Sequence, residues 1–485
     1  MNFSSPLFLF AFLPLTLTIY LLVGSKVRPL VFTAASLLFC LWAGPLLFPV
    51  ILISTGINFV LGRRLQKQRE DNSPFRGVLT GGIIFNIGLM LGFKILVAYG
   101  PTWISTLTGA WSASGLSTLQ PYLLKGIALP VGISFYSFQA IAYLLDIAAN
   151  RSKAEANLVA FTEYMTAFPK VVAGPIVRYR DLGKQLGSRA IDWPLAGEGA
   201  RRFIAGLAKK TIIADRLSLM VDRGVFDQAL PNLSTPSAWL VLVCFTLQIY
   251  FDFSGYSDMA IGLGMIFGLR FPENFNFPYQ AKSISEFWRR WHMTLSGWFR
   301  EVVFYPLERK RAAGNRWLNT YGNVLIVFLF TGLWHGVTIN FLIWGLLHGL
   351  AICLEVSPIG KVIRKLPGVV QQIYTLLILM IGWVFFRSNS PAYSLGFIKT
   401  LLGLTGINSP TPYSILVPPT TSLWLTLAAA LLFSFPVTGW VGGRIKLNNF
   451  KYAAWIQTGI SLILLTASLV ALAGSTFQPY IYGNF

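Results

Sequence analysis

The sequence has few charged residues for its length. Only 12% of its 485 residues are Asp, Glu, Lys or Arg, whereas 54% are hydrophobic. A water-soluble domain does not need that much apolar surface, and several apolar runs exceed the roughly 18 residues that are typical of a membrane helix. The composition therefore excludes a soluble globular protein and predicts an all-α polytopic integral membrane protein.

Acidic residues are the scarcer of the two charge types. The chain has 18 Asp and Glu against 39 Lys and Arg, which gives a formal net charge of +21. In a soluble chain this balance would suggest nucleic acid. In a membrane protein, however, Lys and Arg gather in cytoplasmic loops, where they fix topology and meet anionic lipid. We therefore expect the lipid bilayer, and no nucleic acid, as the partner of these charges.

Residues and motifs for several kinds of chemistry are missing. The three cysteines are dispersed without zinc or redox spacing, and no two of the three histidines have the short spacing that holds a metal on one element. A Gly-x-Ser-x-Gly motif is absent too, and no strand pattern exists to carry a nucleophile elbow. We therefore expect no metal, no bound cofactor and no serine-hydrolase mechanism.

Proline, glycine and clustered charge divide the apolar sequence into about 11 or 12 predicted membrane spans, by the length that a bilayer requires. Lys26 and Arg28 follow the first apolar run, whereas the residues before that run carry no Lys or Arg, so we expect the N-terminus outside. The uncharged tail, residues 475–485, is expected outside as well. We find no separable soluble domain and predict one membrane domain over residues 1–485.

Five stretches are predicted to depart from a simple span. Residues 29–62 should form a tight hairpin at a Gly-Pro pair, and residues 239–269 a second hairpin. Residues 158–176 contain Pro-Lys and Gly-Pro pairs and are predicted to be re-entrant. The aromatic residues of 284–305 recur at near-helical spacing, which predicts an amphipathic helix at the membrane interface. Residues 324–355 are predicted to make two half-crossings.

A Trp-His-Gly triplet, Trp334 to Gly336, lies in the last of these stretches. Near the bilayer midplane an imidazole loses its hydration, so its neutral form is favoured and the ring can accept a proton. Ionisable residues at membrane depth are expensive and indicate functional sites. His335 is therefore a catalytic candidate, with Trp334 shaping the site. The alternative is a packing histidine that donates to a backbone carbonyl.

Two other histidines and two aspartates are weighed beside it. On one straight helix, 13 residues would place His348 about 220° around from His335, so His348 is expected to be structural. His292 ends a Trp-Arg-Arg-Trp-His segment and is either a polar residue at headgroup level or an acid/base or orienting group that reaches the cavity of His335. Asp252 and Asp258 are site-shaping candidates, which orient an imidazole, bind an ion or satisfy a broken helix end.

Arginines cluster in residues 178–202 and 289–311. Guanidinium groups bind phosphate well, so Arg178, Arg289 and Arg290 are candidates for holding the phosphates of a nucleotide-like acyl donor. The alternative is that these clusters only serve the positive-inside rule. Both interpretations stay open at the level of the sequence.

Four segments resemble the successive signatures of the membrane-bound O-acyltransferase family. They are Phe168-Pro-Lys-Val-Val-Ala-Gly-Pro-Ile-Val-Arg-Tyr, Phe251-Asp-Phe-Ser-Gly-Tyr-Ser-Asp-Met-Ala-Ile-Gly, Phe287-Trp-Arg-Arg-Trp-His and Gly332-Leu-Trp-His-Gly. They match its bacterial branch, which contains the membrane subunit of alginate O-acetylation and the D-alanyl transferase of teichoic acid synthesis. The resemblance extends over roughly residues 7–485.

This resemblance implies an acyltransferase with the family's fold and a catalytic core at about residues 125–356. In the family the histidine of Trp-His-Gly is the catalytic candidate, here His335, and the histidine of Trp-Arg-Arg-Trp-His is a second invariant one, here His292. The first signature is most similar to members that acetylate polysaccharides. The resemblance to these members implies acetyl-CoA as the donor substrate and a polysaccharide as the final acceptor. It also implies a periplasmic or extracellular acetyltransferase as a partner, and the bacterial cytoplasmic membrane as the location.

Two other functions stay open at this stage. One is D-alanyl transfer from a carrier protein to teichoic acid, which keeps the fold and changes the cargo. The other is a transporter that moves a solute or an acyl carrier without covalent chemistry, since broken helices and midplane polar residues occur in transporters too. The lack of inverted similarity between the two halves of the sequence weighs against the transporter.

Overall fold

The computed structural model describes residues 2–110, 128–222, 233–311, 318–404, 420–437 and 452–474. Every regular element in these ranges is helical, which confirms the predicted all-α class. The chain divides into two compact units. One comprises the described parts of Met1–Gly199 and Ala260–Pro272, and the other those of Ala200–Met259 and Glu273–Ile481.

The helices of the described ranges are numbered here in chain order. Those that begin before residue 223 are α1 (Leu13–Leu22), α2 (Arg28–Ala43), α3 (Phe48–Glu70), α4 (Arg76–Ala110), α5 (Ile133–Ala148), α6 (Leu158–Thr166), α7 (Phe168–Val171), α8 (Tyr179–Leu182), α9 (Trp193–Ala208) and α10 (Asp215–Asp222). The later ones are α11 (Thr235–Ile266), α12 (Ile284–Arg290), α13 (Met293–Phe299), α14 (Tyr305–Arg311), α15 (Asn323–His335), α16 (Ile339–Val356), α17 (Pro358–Ile363), α18 (Gly368–Arg387), α19 (Pro391–Leu401), α20 (Thr421–Phe433) and α21 (Ala453–Ala473). Wider π-helical turns occupy Phe8–Phe12, Lys209–Ala214, Arg300–Phe304 and Leu318–Gly322.

Six helices of the described ranges are long and apolar enough to cross a membrane. They are Pro45–Glu70, Arg76–Thr106, Thr235–Ile266, Ile339–Val356, Gly368–Arg387 and Ala454–Ala473. Four shorter apolar helices accompany them, at Phe8–Leu22, Arg28–Ala43, Ile133–Ala148 and Thr421–Phe433. The chain is therefore a multi-pass membrane protein. The total of 11 or 12 spans stays a prediction, and the predicted outside tail lies beyond the described residues.

The predicted hairpin over residues 239–269 is wrong, because α11 runs unbroken for 32 residues. Its central glycine marks close helix packing and not a bend. A Cβ added to Gly255 would lie 2.8 Å from the carbonyl oxygen of Gly206 on α9, and a Cβ on Gly206 would lie 2.5 Å from that of Gly255. Small residues of this kind let two membrane helices approach at backbone distance.

The predicted interfacial helix over residues 284–305 is wrong as well. The chain forms two short helices, α12 and α13, which meet at His292 in the left-handed conformation (φ 42°). The aromatic side chains that suggested a membrane-facing surface are inside the protein, since Trp288 is 8% and Trp291 is 2% exposed. Helical spacing alone does not distinguish a lipid-facing aromatic stripe from a buried one.

The other predicted breaks are observed. The helices α2 and α3 are separated at Gly44, and α15 and α16 are separated between His335 and Ile339. Residues 158–176 form only the short helices α6 and α7, interrupted at Ala167. How deep these breaks lie in a bilayer stays a prediction.

Candidate active site

His335 is the last residue of α15 and is enclosed by aromatic rings. Its ring centroid lies 4.4 Å from that of Trp334, 4.7 Å from Trp344 on α16, 5.0 Å from Phe386 on α18 and 6.0 Å from Phe341. The residue is nevertheless 7% exposed, so the enclosure is not complete. The enclosure excludes most water from the ring.

The glycine after His335 makes this enclosure possible. A Cβ on Gly336 would lie 2.5 Å from the ring of Phe341, so a larger residue would push that ring away. The helix ends here, and the chain turns back as α16. A Cβ on Gly332 would likewise lie 2.5 Å from the carbonyl oxygen of Phe341, which shows how closely the two helices pack. The Trp-His-Gly triplet thus terminates one helix and admits the next.

His292 lies at the junction of α12 and α13 and is 1% exposed. A left-handed backbone is uncommon for a residue with a side chain and indicates a local constraint, often at a functional site. Its Nδ1 lies 3.0 Å from Asn274 Oδ1, and its ring meets that of Phe253 edge-on at 4.8 Å. Burial lowers the pKa of His292 to about 3, so the ring is neutral at physiological pH.

Trp334 connects the two histidines. Its ring centroid lies 4.4 Å from that of His335 and 6.1 Å from that of His292. The two catalytic candidates of the sequence are therefore brought to one indole ring by elements that lie far apart in the chain. The role of Trp334 as a site-shaping residue stays a prediction.

His348 is placed differently from the prediction on a straight helix. The break after His335 puts both rings against Trp344, at 4.7 Å for His335 and 4.9 Å for His348. His348 Nδ1 lies 3.4 Å from Trp288 Nε1, which can only donate, so His348 accepts this hydrogen bond. Both rings belong to one aromatic cluster, with His348 fully buried behind it.

Asp252 and Asp258 contact cations. Lys210 Nζ lies 2.7 Å from a carboxylate oxygen of Asp252 and 2.7 Å from one of Asp215. Asp258 lies 2.6 Å from Lys209 Nζ and 2.9 Å from Arg202 Nη2. The two aspartates therefore balance the positive charges of Arg202 on α9 and of Lys209 and Lys210 in the π-helical turn after it. The residues of this motif that reach the histidine region are Phe253 and Ser257.

The arginine candidates occupy different surroundings. Arg290 donates to the carboxylate of Glu286 from Nε and lies 2.9 Å from it through Nη2. Arg289 instead lines a cavity of about 380 Å³, as does Arg300, which the sequence did not single out. Neither of these two forms an ion pair with a residue that the structure describes. Arg178 belongs to the other unit, where it is buried with its Nη1 3.7 Å from Asp146.

The cavity combines the two arginines with a largely apolar wall. Its lining residues are Ser285, Trp288, Arg289, Leu295, Ser296, Phe299, Arg300, Phe304, Tyr305, Val324, Val327, Phe328, Thr331 and Ile352. Thr331 precedes His335 by one helical turn on α15. Guanidinium groups beside an apolar wall suit an anionic molecule with an extended chain. No group of His, Cys, Asp and Glu suited to a metal occurs in the described ranges.

Several residues of the site were missed by sequence reasoning. Asn274, Trp344 and Phe386 come from the loop before α12 and from two later helices, so no local spacing pointed to them. Phe253 and Ser257 did carry a signal, because residues four apart share a helix face. That signal becomes informative only once α11 is known to be one continuous helix.

Comparison with known proteins gives a consistent result. The family model described as the membrane-bound O-acyltransferase family matches residues 127–386. A protein of Pseudomonas putida named "probable alginate O-acetylase" is 33% identical over the full length of both chains. One of the same name in Pseudomonas syringae is 38% identical over 80% of this chain and 73% of its own length. The peptidoglycan O-acetyltransferase of Helicobacter pylori is 30% identical over 100% of this chain and 97% of its own.

Proposed function

Because this chain belongs to the membrane-bound O-acyltransferase family and is therefore an acyltransferase, we propose that it moves an acetyl group from acetyl-CoA toward a hydroxyl group. The final acceptor is an extracellular or cell-wall polysaccharide. Relatives over the whole chain are named for O-acetylation of alginate and peptidoglycan, which favours an acetyl cargo.

The observation that carries the proposal is the cavity beside α15. Arg289 and Arg300 supply positive charge for the phosphates of coenzyme A, and the apolar wall accommodates the pantetheine chain. Thr331, also in the lining, lies one turn from His335, so the thioester end is directed toward the catalytic candidate. We propose that the donor enters this cavity from the cytoplasm.

His335 acts as the general base. Its imidazole takes the proton of the acceptor hydroxyl while the hydroxyl oxygen attacks the thioester carbonyl carbon. When the carbon–sulfur bond breaks, the imidazolium returns this proton to the thiolate, so acetyl ester and free coenzyme A are the balanced products. No acyl-enzyme is needed for this sequence of steps.

The location and partner follow from this direction of transfer. We propose that the protein lies in the bacterial cytoplasmic membrane with both termini outside. A periplasmic or extracellular acetyltransferase then completes transfer to the polysaccharide. The bilayer supplies the barrier that separates donor from acceptor.

The test uses the purified protein in nanodiscs with acetyl-labelled coenzyme A and alginate oligosaccharides, with and without a periplasmic extract as a source of the partner. We expect release of free coenzyme A together with labelled acetyl ester. A parallel sample receives D-alanine on its phosphopantetheine carrier protein. Transfer of D-alanine without any turnover of acetyl-CoA would contradict the proposed donor, and solute flux with no covalent transfer would contradict the reaction class.

A further inference from the structure

Asn274 contacts the ring of His292 and three other polar groups through its side-chain amide. Its Oδ1 lies 3.0 Å from His292 Nδ1 and accepts from the hydroxyl of Thr294 at 2.9 Å and from the Thr294 backbone N–H at 3.3 Å. Its amide nitrogen donates to the hydroxyl of Ser257 at 3.1 Å. The Asn274 side chain is 1% exposed, so water does not compete for these bonds.

These contacts fix which way the amide points. The backbone N–H of Thr294 can only donate, so the atom that faces it is the oxygen of Asn274 and not its NH₂ group. The carbonyl oxygen of an amide can only accept, so His292 Nδ1 must carry the proton that it donates to Asn274 Oδ1. In the neutral ring the lone pair then lies on Nε2.

His348 provides an internal contrast. Because its Nδ1 accepts from Trp288 Nε1, its own proton lies on Nε2. His292 and His348 thus hold opposite tautomers, each set by one neighbour whose donor or acceptor role is unambiguous.

We propose that Asn274 is a positioning residue that keeps His292 in the Nδ1–H tautomer, so that Nε2 accepts a hydrogen bond from the hydroxyl-bearing acceptor substrate. A neutral His292 in this tautomer has no proton on Nε2 to give to the thioester carbonyl. The two histidines then divide the work: His335 takes the reacting proton, and His292 holds the acceptor. This inference rests on the proposed function.

The acidic groups near this ring are already ion-paired with other residues. On the elements packed against His292, Asp252 and Asp258 of α11 and Glu273 of the following loop are ion-paired, and so is Glu286 of α12. The remaining titratable groups on these elements are Cys244, Tyr250, Tyr256, Arg270, Tyr279, Lys282, Arg289, Arg290 and, on α15, His335. A carboxylate in place of the Asn274 amide would be the acidic group that directly faces Nδ1.

A first experiment reads the tautomer without any substrate. The chain contains only three histidines, so ring-labelled protein in lipid gives three sets of ¹⁵N and ¹³C signals, which His292→Gln and His348→Phe assign. We expect the proton on Nδ1 for His292 and on Nε2 for His348. A proton on Nε2 of His292 in the wild-type protein would overturn the proposal, whether or not acetyl transfer is ever observed.

A second experiment reads the role of His292 through the pH profile of kcat/KM for alginate oligosaccharides. In Asn274→Asp the new carboxylate favours imidazolium, and an opposite charge at this distance raises a histidine pKa by roughly 1–3 units. The rate of Asn274→Asp should therefore fall on acidification at a higher pH than the wild-type rate does, with the lost rate recovered under alkaline conditions. Asn276→Asp makes the same chemical change at an exposed position and should leave the limb in place.

Three outcomes separate the possibilities. An acidic limb shifted in Asn274→Asp alone supports the proposal. A uniform loss of rate without a shift would make Asn274 merely structural and would overturn it. Wild-type protein with the expected tautomers but without turnover of acetyl-CoA would contradict the proposed donor while leaving the tautomer assignment intact.

Discussion

The two sides of α11 differ in how they use buried polar groups. Gly255 faces α9, and on either side of it Asp252 and Asp258 meet the cations of α9 and the π-helical turn. Successive residues are turned by about 100°, which places Phe253 and Ser257 on the opposite side. There they contact His292 and Asn274 through a ring and a hydroxyl.

The comparison teaches where charge is tolerated in this protein. On the α9 side, charge is balanced by charge, and removing one partner leaves another uncompensated. On the histidine side, neutral donors and acceptors and aromatic rings set the properties of the imidazoles. An ionised carboxylate there would stabilise imidazolium and remove a base. The acidic residues of the Asp-Phe-Ser-Gly-Tyr-Ser-Asp motif thus contribute to assembly, and its uncharged residues reach the site.

The largest expected effect comes from a substitution on the histidine side of α11. His335→Ala should lower acetyl transfer by roughly 100-fold to 10,000-fold, the usual contribution of a general base, while the protein remains folded. The measurement is release of free coenzyme A in nanodiscs, with thermal unfolding as the check on structure. His348→Phe is the matched control, since it keeps a ring in the same cluster. A loss in His348→Phe as large as that in His335→Ala would contradict the assignment.

The next largest effect is expected from a substitution on the charged side of α11, which faces α9. Lys210 is 2% exposed and lies between two buried carboxylates, so Lys210→Met should lower the free energy of unfolding by about 3–5 kcal/mol. Lys209→Met is the neighbouring control, because Asp258 keeps Arg202 and Lys209 is half-buried; we expect under about 1 kcal/mol. Denaturation in detergent measures both. Equal losses in the two variants would show that burial does not decide the outcome.

A smaller effect concerns the donor cavity. Arg289→Ala and Arg300→Ala should each raise the KM for acetyl-CoA about 10-fold, the effect of losing a hydrogen bond to a charged group. Arg290→Ala, whose guanidinium is engaged by Glu286, should change this KM little. Acetyl-pantetheine lacks the nucleotide phosphates, so none of the three variants should alter its KM. A drop in kcat with unchanged KM for acetyl-CoA would contradict phosphate binding by these arginines.

The smallest expected effect comes from removing one serine hydroxyl on the histidine side of α11. Ser257→Ala removes the acceptor of the Asn274 amide and should slow transfer about 2-fold to 10-fold, as expected for one neutral hydrogen bond. Ser254→Ala makes the same chemical change on a different face of α11 and should leave the rate unchanged. Rates for the two variants, normalised to folded protein, give the answer. A larger loss in Ser254→Ala would mean that the two sides are not functionally distinct.

Much of the architecture could be predicted from the sequence. Apolar run length gave the membrane class, and a Gly-Pro pair and a Trp-His-Gly triplet located two helix breaks. The two wrong predictions, a hairpin over residues 239–269 and an interfacial helix over residues 284–305, share one cause, because both rest on local signals. Gly255 looks like a bend until Gly206 is placed against it, and an aromatic stripe looks lipid-facing until its partners are known.

The site was predictable only in part for the same reason. His335 and His292 stand out because histidines are rare in the chain and lie in recognisable motifs. Asn274 does not, because its role depends on the bonds it makes to Thr294 and Ser257, and only three-dimensional contacts show them. Arg289 and Arg290 are adjacent and chemically identical, and only the structure separates the cavity residue from the paired one.

The most direct test of the central claim is chemical rescue of His335→Ala. Shortening the side chain to the methyl group of alanine leaves a space between four aromatic rings, which free imidazole can fill. We predict that labelled acetyl transfer by the variant is lost in buffer and is partly restored by added imidazole, in proportion to its neutral form. Full transfer by His335→Ala without imidazole would contradict the account, because the proton of the acceptor hydroxyl would then be taken by another group.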